Sequence, residues 1–281
     1  MPSFPNVRLA SRPLHFIYLC DCSGSMAAQG KMQALNQAIR QSLPGMARVA
    51  RENPEARVLV RAVRFADRAH WHIATPTPVE ELQWQDLQAG GVTAMGEALD
   101  LLAEQLASPP MEERALPPVL VLISDGQPTD DFETSLGRLM RQPWAQKAVR
   151  LAIALGHDAD LEVLQQFIGP DPSSGQAPGT VPAGGVPAGE VPGASGEMPR
   201  HAVAGAGRSD RSPRRPLQAS NATALAQYIQ WASTAVVGAA SMPASRVGDG
   251  QGGTSGAGNI PLPDLPPTLL DPVDDIGPVV W

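Results

Sequence analysis

Apolar residues recur along this chain in two alternating rhythms. Short runs at residues 15–20, 58–65, 69–74, 119–124 and 149–155 have the length and the β-branched or aromatic content of strands. Between them the spacing changes to three and four. Met32, Leu35, Ile39, Leu43 and Met46 form one stripe within 31–51, and Met95, Leu99, Leu102 and Leu106 form another within 93–106. Further helices are expected to end at Met140 and to span 160–167. Pro44 interrupts the first helix and predicts either a kink or a second short helix there. The runs 15–20 and 119–124 are apolar throughout, as strands buried on both faces of a parallel sheet are. Run 69–74 follows 58–65 across Ala66-Asp67-Arg68, a turn short enough for a hairpin. Thr75-Pro76-Thr77-Pro78 reads as extended loop, 79–87 as a short connector, and Asp130 with Glu133 as a near capping box for the helix to Met140. Strand and helix alternate, which is the pattern of an α/β fold.

Composition shortens the foldable part. The chain has 281 residues with 29 Pro and 27 Gly, most of which lie after Ile168. An imperfect five-residue repeat runs through Val181, Val186 and Val191, and 171–213 has almost no large apolar residue, so this stretch is expected to be disordered. Pattern returns at 216–219, a short strand, and at Asn221, which is expected to cap a helix with Leu225, Ile229, Ala232 and Val236 on one stripe. The expected organisation is a leader at 1–13, the main domain at 14–169, a Pro/Gly-rich insertion at 170–215, a last strand and helix of the same domain at 216–241, and a disordered tail at 242–281. The end of that tail, 262–281, mixes acidic residues among Leu, Val and Pro, as short docking segments do, though a solubilising role explains it equally well.

The formal net charge is -7, with no basic stripe, which disfavours nucleic acid and anionic membrane surfaces as partners. No apolar run reaches the roughly 18 residues needed to span a bilayer, and no secretory signal is visible, so a soluble cytoplasmic protein is expected. Cys20 and Cys22 are the only cysteines; they are expected to face opposite ways along the strand and so not to form a disulfide. A packed, inert thiol is the reading for Cys22. Asn221-Ala222-Thr223 matches a glycosylation acceptor, but a helix cap is favoured.

The candidate chemistry lies where the first strand ends, in Leu19-Cys20-Asp21-Cys22-Ser23-Gly24-Ser25-Met26. One carboxylate and two hydroxyls within five residues, with Gly24 letting the turn close, can aim several hard oxygens at one spot. Such a donor set suits a hard cation. Two further segments join it: Gly90-Gly91-Val92-Thr93-Ala94-Met95-Gly96-Glu97-Ala98-Leu99, opening a helix, and Leu120-Val121-Leu122-Ile123-Ser124-Asp125-Gly126, a core strand delivering a second carboxylate.

Asp-x-Ser-x-Ser at the first strand end, with Thr93 and Asp125 after it, resembles the metal-ion-dependent adhesion site (MIDAS) of von Willebrand factor A (VWA) domains. The resemblance implies a doubly wound, Rossmann-like, mostly parallel six-stranded sheet with one antiparallel edge strand, the second of the hairpin, and helices on both faces. It implies metal ligands Asp21, Ser23, Ser25, Thr93 and Asp125, a resident Mg2+ or Mn2+, and a protein partner that offers an acidic residue to the metal. No catalysis is implied. The Thr93 and Asp125 segments look most like the bacterial tellurium-resistance (TerY-like) branch, over about 14–168 and the last helix. Proteins resembling this branch are intracellular and often accompany a Ser/Thr kinase and a PP2C-type phosphatase. Cys20, Cys22 and the long insertion depart from the usual pattern without removing a ligand.

Each residue also has a plainer role to set beside this one. Asp21 and Asp125 could be caps, Ser23 and Ser25 turn formers and Thr93 an N-cap; agreement among three segments favours the metal. Asp130 and Asp131 are read as caps, and His70 and His72 as surface strand residues rather than zinc ligands. Two other functions compete. A phosphoryl-transfer hydrolase would need a second acid close behind Asp21, where Cys22 stands, and the loop has no Gly-rich phosphate cradle with a Lys. An accessory subunit of an AAA-type ATPase is the other, and no ATPase is fused to this sequence.

Overall fold

The computed structural model describes residues 11–125, 127–169, 215–241, 263 and 265–266. Its strands are β1 (Arg12–Asp21), β2 (Ala56–Phe65), β3 (Ala69–Pro78), β4 (Val119–Ser124), β5 (Val149–Leu155) and β6 (Leu217–Ala219). Its helices are α1 (Lys31–Glu52), α2 (Met95–Gln105), α3 (Phe132–Met140), α4 (Pro143–Lys147), α5 (Leu161–Ile168), α6 (Ala222–Trp231) and α7 (Val237–Ser241). They form one six-stranded sheet in the order β3-β2-β1-β4-β5-β6. Only the β2–β3 pair is antiparallel. The expected α/β fold is therefore the observed one, with β1 and β4 adjacent at its centre.

Alternation along β1 divides the core in two. Leu14, Phe16, Tyr18 and Cys20 point to the side covered by α1 and α6, while Ile17 and Leu19 point to the side of α2, α3 and α5. All are fully buried. This is why the central strands read as unbroken apolar runs. On the α1 side, Tyr18 Oη joins Ser233 (3.0 Å) and Ser42 (3.4 Å), so that the one polar tip among these strand residues is satisfied between two helices.

Several local expectations change. α1 neither stops nor restarts at Pro44; it runs 22 residues through it. Leu43, Met46 and Ala47 on either side are buried against the sheet and α6, and that burial offsets the donor that proline removes. Gly45 beside it faces the last helix, where a Cβ would meet the movable end of Gln230 (Nε2, 2.4 Å) and Thr234 Cγ2 (3.1 Å). β3 extends to Pro78, so the Thr-Pro repeat is strand and not loop; an edge strand tolerates proline because one row of its amides pairs with nothing. A 3-10 turn at Gly24–Gly30 and the short helix α4 had no signal in the apolar spacing. The last helix continues from α6 through a π-helical turn, Ala232–Val236, into α7. Asn221 caps α6 as expected, its side chain accepting the Ala224 amide at 2.8 Å.

Cys20 and Cys22 do not face opposite ways. Two residues along a strand restore the same face, and both belong to the α1-side core as buried free thiols. Burial raises the Cys22 pKa to about 12, which leaves it inert at neutral pH. The leader up to residue 10, nearly all of the insertion, and the tail other than Pro263, Leu265 and Pro266 lie outside the described residues. Leu265 is partly buried against the α1-side core. No helix among the described residues is long and apolar enough to cross a membrane.

Candidate metal centre

Parallel strands with helices on both faces leave a crevice at their carboxyl ends, and β1 and β4 both end there. Asp21 is the last residue of β1 and Asp125 follows the last residue of β4, so adjacent strands deliver the two carboxylates to one edge. Asp21 is fully buried and Asp125 is 4% exposed. The Asp21 carboxylate is held from both sides: Oδ1 accepts the Ser23 amide at 2.8 Å and Oδ2 accepts the Ser124 hydroxyl at 2.5 Å. The Ser25 hydroxyl donates to Asp125 Oδ2 and lies 2.9 Å from Ser23 Oγ. Four of the five sequence-predicted residues, Asp21, Ser23, Ser25 and Asp125, thus form one connected cluster of oxygens.

Electrostatics within the cluster are unfavourable as it stands. Burial pushes the Asp21 pKa up to about 6; the Ser124 and Ser23 hydrogen bonds oppose this, and the Asp125 charge adds to it. Among the described residues no Lys, Arg or His makes an ion pair with either carboxylate. Two buried carboxylates with hydroxyls between them and no side-chain counter-ion have the donor chemistry of a hard divalent cation, so the residues present fit that ion. The described residues contain no group of three or more His, Cys, Asp or Glu side chains that could hold a metal ion.

Thr93 stands apart from this network. Its side chain is buried, but its hydroxyl makes no hydrogen bond among the described residues. What fixes it is its backbone: the Thr93 amide donates to Thr129 Oγ1 (3.2 Å) and its carbonyl accepts the Thr129 amide (2.9 Å). The loop carrying Thr93 is tied on two further sides. Gly90 N donates to Cys22 O at 2.8 Å and Gly24 N to Gly91 O at 2.9 Å, joining it to the Asp21 loop. Ala94 N donates to Ala66 O at 2.8 Å and Val92 N to Asp67 Oδ1 at 3.0 Å, joining it to the β2–β3 turn. Gly91 has φ +91°, and a Cβ there would lie 2.5 Å from Asp67 Oδ1, so glycine is required both by conformation and by space.

Asp130 does not cap its own helix. Asp131 is the N-cap of α3, accepting the Thr134 amide at 3.2 Å, whereas Asp130 reaches across to α2. Its Oδ1 and Oδ2 accept the Gly96 (2.8 Å) and Glu97 (2.9 Å) amides, which no residue of α2 itself can satisfy because Ala94 stands at its N-cap. α2 begins at Met95, two residues after the expected start at Thr93 and at the first residue of its apolar stripe. Thr129 and Asp130 together therefore clamp the Thr93 loop to the Asp125 loop. Replacing Asp130 with Ala is expected to weaken divalent-cation uptake by about tenfold, with Asp130→Asn in between, as loss of a residue that orients a ligand commonly does. Calorimetric titration of each variant with Mg2+ checks this, and unchanged affinity in Asp130→Ala would contradict it.

Ser124, Thr129, Asp67 and the cross-helix duty of Asp130 were not anticipated. Ser124 had the one available signal: a lone hydroxyl closing an apolar strand next to the strand that ends in Asp21. Of the expected surface histidines, His70 is exposed on β3, and His72 Nε2 is 2.9 Å from the Gln85 carbonyl.

No curated protein matches the chain. Among solved structures it is similar to a von Willebrand factor type A protein from Catenulispora acidiphila, at 19% identity and a TM-score of 0.41, covering 57% of this chain and 37% of that one. It is also similar to the ArnB paralog VWA2 from Sulfolobus acidocaldarius, at 17% identity and a TM-score of 0.40, covering 55% of this chain and 38% of the other. The chain thus spans well under half the length of either. The family model for the von Willebrand factor type A domain matches residues 17–177, more than half of the sequence, and the chain belongs to that family.

Proposed function

We propose that this domain is a metal-dependent protein-interaction module in which Asp21, Ser23, Ser25, Thr93 and Asp125 hold Mg2+ or Mn2+ as a MIDAS, directly or through water. Domains of this family are generally interaction modules rather than enzymes. The observation that carries the reading is the pair of buried carboxylates, Asp21 and Asp125, linked through Ser23 and Ser25, with no side-chain cation among the described residues paired with either. Two carboxylates and neutral hydroxyls leave a divalent ion receptive to one more anionic oxygen. An Asp or Glu of a partner protein supplies it, so the ion acts as the adhesive.

The finer setting follows from the likeness of the Thr93 and Asp125 segments to the tellurium-resistance branch. The chain serves there as a cytoplasmic scaffold in a stress-response system, with a Ser/Thr kinase and a PP2C-type phosphatase as the partners. Capture of partners by the tagged full chain from its native cell, with Mg2+ or with chelator, tests this. Recovery of a kinase or phosphatase only when Mg2+ is present is the expected result; equal recovery in chelator would contradict the metal-dependent reading.

A further inference from the structure

Arg61 is the one buried arginine among the described residues, 5% exposed. It stands in β2 opposite Ile17 of β1, four residues before the pair Asp21 and Phe65. At ~3.3 Å per residue that is about 13 Å along the sheet from the level of the carboxylate cluster. Alternation from Val63 puts its side chain on the face covered by α2, where Trp71 of β3 also packs. The guanidinium carbon lies 3.7 Å from the centroid of the Trp71 ring, so the indole covers one face of the cation. In the plane of the guanidinium the picture is different. Nε and Nη1 are buried and have no hydrogen-bond partner, while Nη2 is not shut in with them.

The acids of the covering helix are engaged elsewhere. Glu97 pairs with Arg68 at 2.8 Å and Asp100 with Arg138 at 2.7 Å, and Glu104 lines a groove with Arg138 and Arg141 on the side of α3. Glu112, beyond α2, lies 2.8 Å from His15. Burial alone therefore acts on Arg61, lowering its pKa only to about 10, so the group keeps its charge at neutral pH. A buried charge with unmade hydrogen bonds is costly, and an apolar side chain of the same volume would serve the fold better. We propose that Arg61 receives a carboxylate, which lies in the guanidinium plane and accepts from Nη2 and Nη1 while Trp71 covers the face. The planar fork suits a carboxylate's two oxygens. A single cation balances a monoanion, whereas a phosphate group, at about −1.5 to −2, would leave negative charge buried in excess. The carboxylate comes either from a free acid or from the chain's own acids, Asp271, Asp274 and Asp275 among them. The site is separate from the metal centre and does not depend on it.

The side-chain Nε–H resonance of Arg61 in proton–nitrogen NMR spectra of the full chain, identified by its absence in Arg61→Lys, reports on the site directly. Titration with sodium acetate at neutral pH is expected to shift it downfield and to saturate, as a charge-assisted hydrogen bond to the guanidinium forms. Sodium chloride and sodium phosphate at the same ionic strength are expected to leave it in place. Where the chain's own acids fill the site, acetate shifts the resonance only in the triple variant Asp271→Asn, Asp274→Asn, Asp275→Asn. Either pattern supports the inference and tells the two sources apart. No acetate shift in either protein, the result that water alone in the site would give, overturns it. So does a shift of equal size with chloride or phosphate.

Discussion

Asp21→Asn is expected to lower Mg2+ affinity at least about 100-fold while leaving the fold intact. Asp21 supplies one of only two carboxylates in the cluster, so its removal takes away half of the formal charge that would neutralise a divalent ion. The amide keeps the shape of the side chain, and its oxygen can still accept from Ser23 or Ser124, whose bonds to the native carboxylate are 2.8 and 2.5 Å. The variant therefore separates loss of charge from loss of structure. Equilibrium dialysis measures the cation, and circular dichroism confirms that the secondary structure is unchanged. Capture of a metal-dependent partner should fall in parallel, because the partner's carboxylate then meets Asp125 without an intervening ion. Near-wild-type cation uptake by Asp21→Asn would show that the ion, if bound, sits elsewhere.

The same carboxyl makes the metal-free protein pH-sensitive in an unusual direction. Its pKa in the folded state is about 6, raised chiefly by burial, against 3.8 as the ordinary value. Between those values the folded state holds a proton that the unfolded state has released, so stability is fully present below about pH 4 and is lost as pH rises through 6. The loss from this one group is up to about 3 kcal/mol. Glu97 and Glu112 act the other way, since their hydrogen bonds to Arg68 and His15 outweigh burial and lower their pKa, making them stabilising above the usual carboxylate range. The contribution of Asp21 is therefore read as the difference between wild type and Asp21→Asn. In chelator, urea midpoints of the wild type should fall relative to the variant between pH 4.5 and 7, and added Mg2+ should remove that fall by binding only the folded, deprotonated form. Parallel curves for the two proteins in chelator would contradict the buried, uncompensated state of Asp21.

The fold was legible because its core follows simple rules. Strands buried on both faces read as unbroken apolar runs, and helices on a sheet show one apolar stripe; both are properties of local spacing. Of the two outcomes expected at Pro44, the second short helix does not form, because the cost of proline is local whereas the packing of Leu43 and Met46 against the sheet and α6 is not. The prolines of β3 misled because tolerance of proline depends on being at the sheet edge, which a local pattern does not report. Cys20 and Cys22 share one face, against the expectation of opposite faces, because a strand repeats every two residues.

The candidate site divides in the same way. Asp21, Ser23 and Ser25 lie within five residues and announced themselves, as did Asp125 at the end of a core strand. The parts that hold them in register did not. Asp67, Thr129 and Asp130 act across 25, 36 and 34 residues of sequence, and a carboxylate that satisfies the amides of a foreign helix looks in sequence like one that caps its own. The spacing of Asp130 and Glu133 points to α3 for that reason, whereas in three dimensions Asp130 closes α2.

The most direct measurement is calorimetric titration of Mg2+ and Mn2+ into the unmodified chain at pH 7.5, where Asp21 is deprotonated. Uptake of one ion per molecule, lost in Asp21→Asn and in Asp125→Asn, is the expected result. Folded wild-type protein that takes up neither ion, or uptake that both variants retain, would contradict the account.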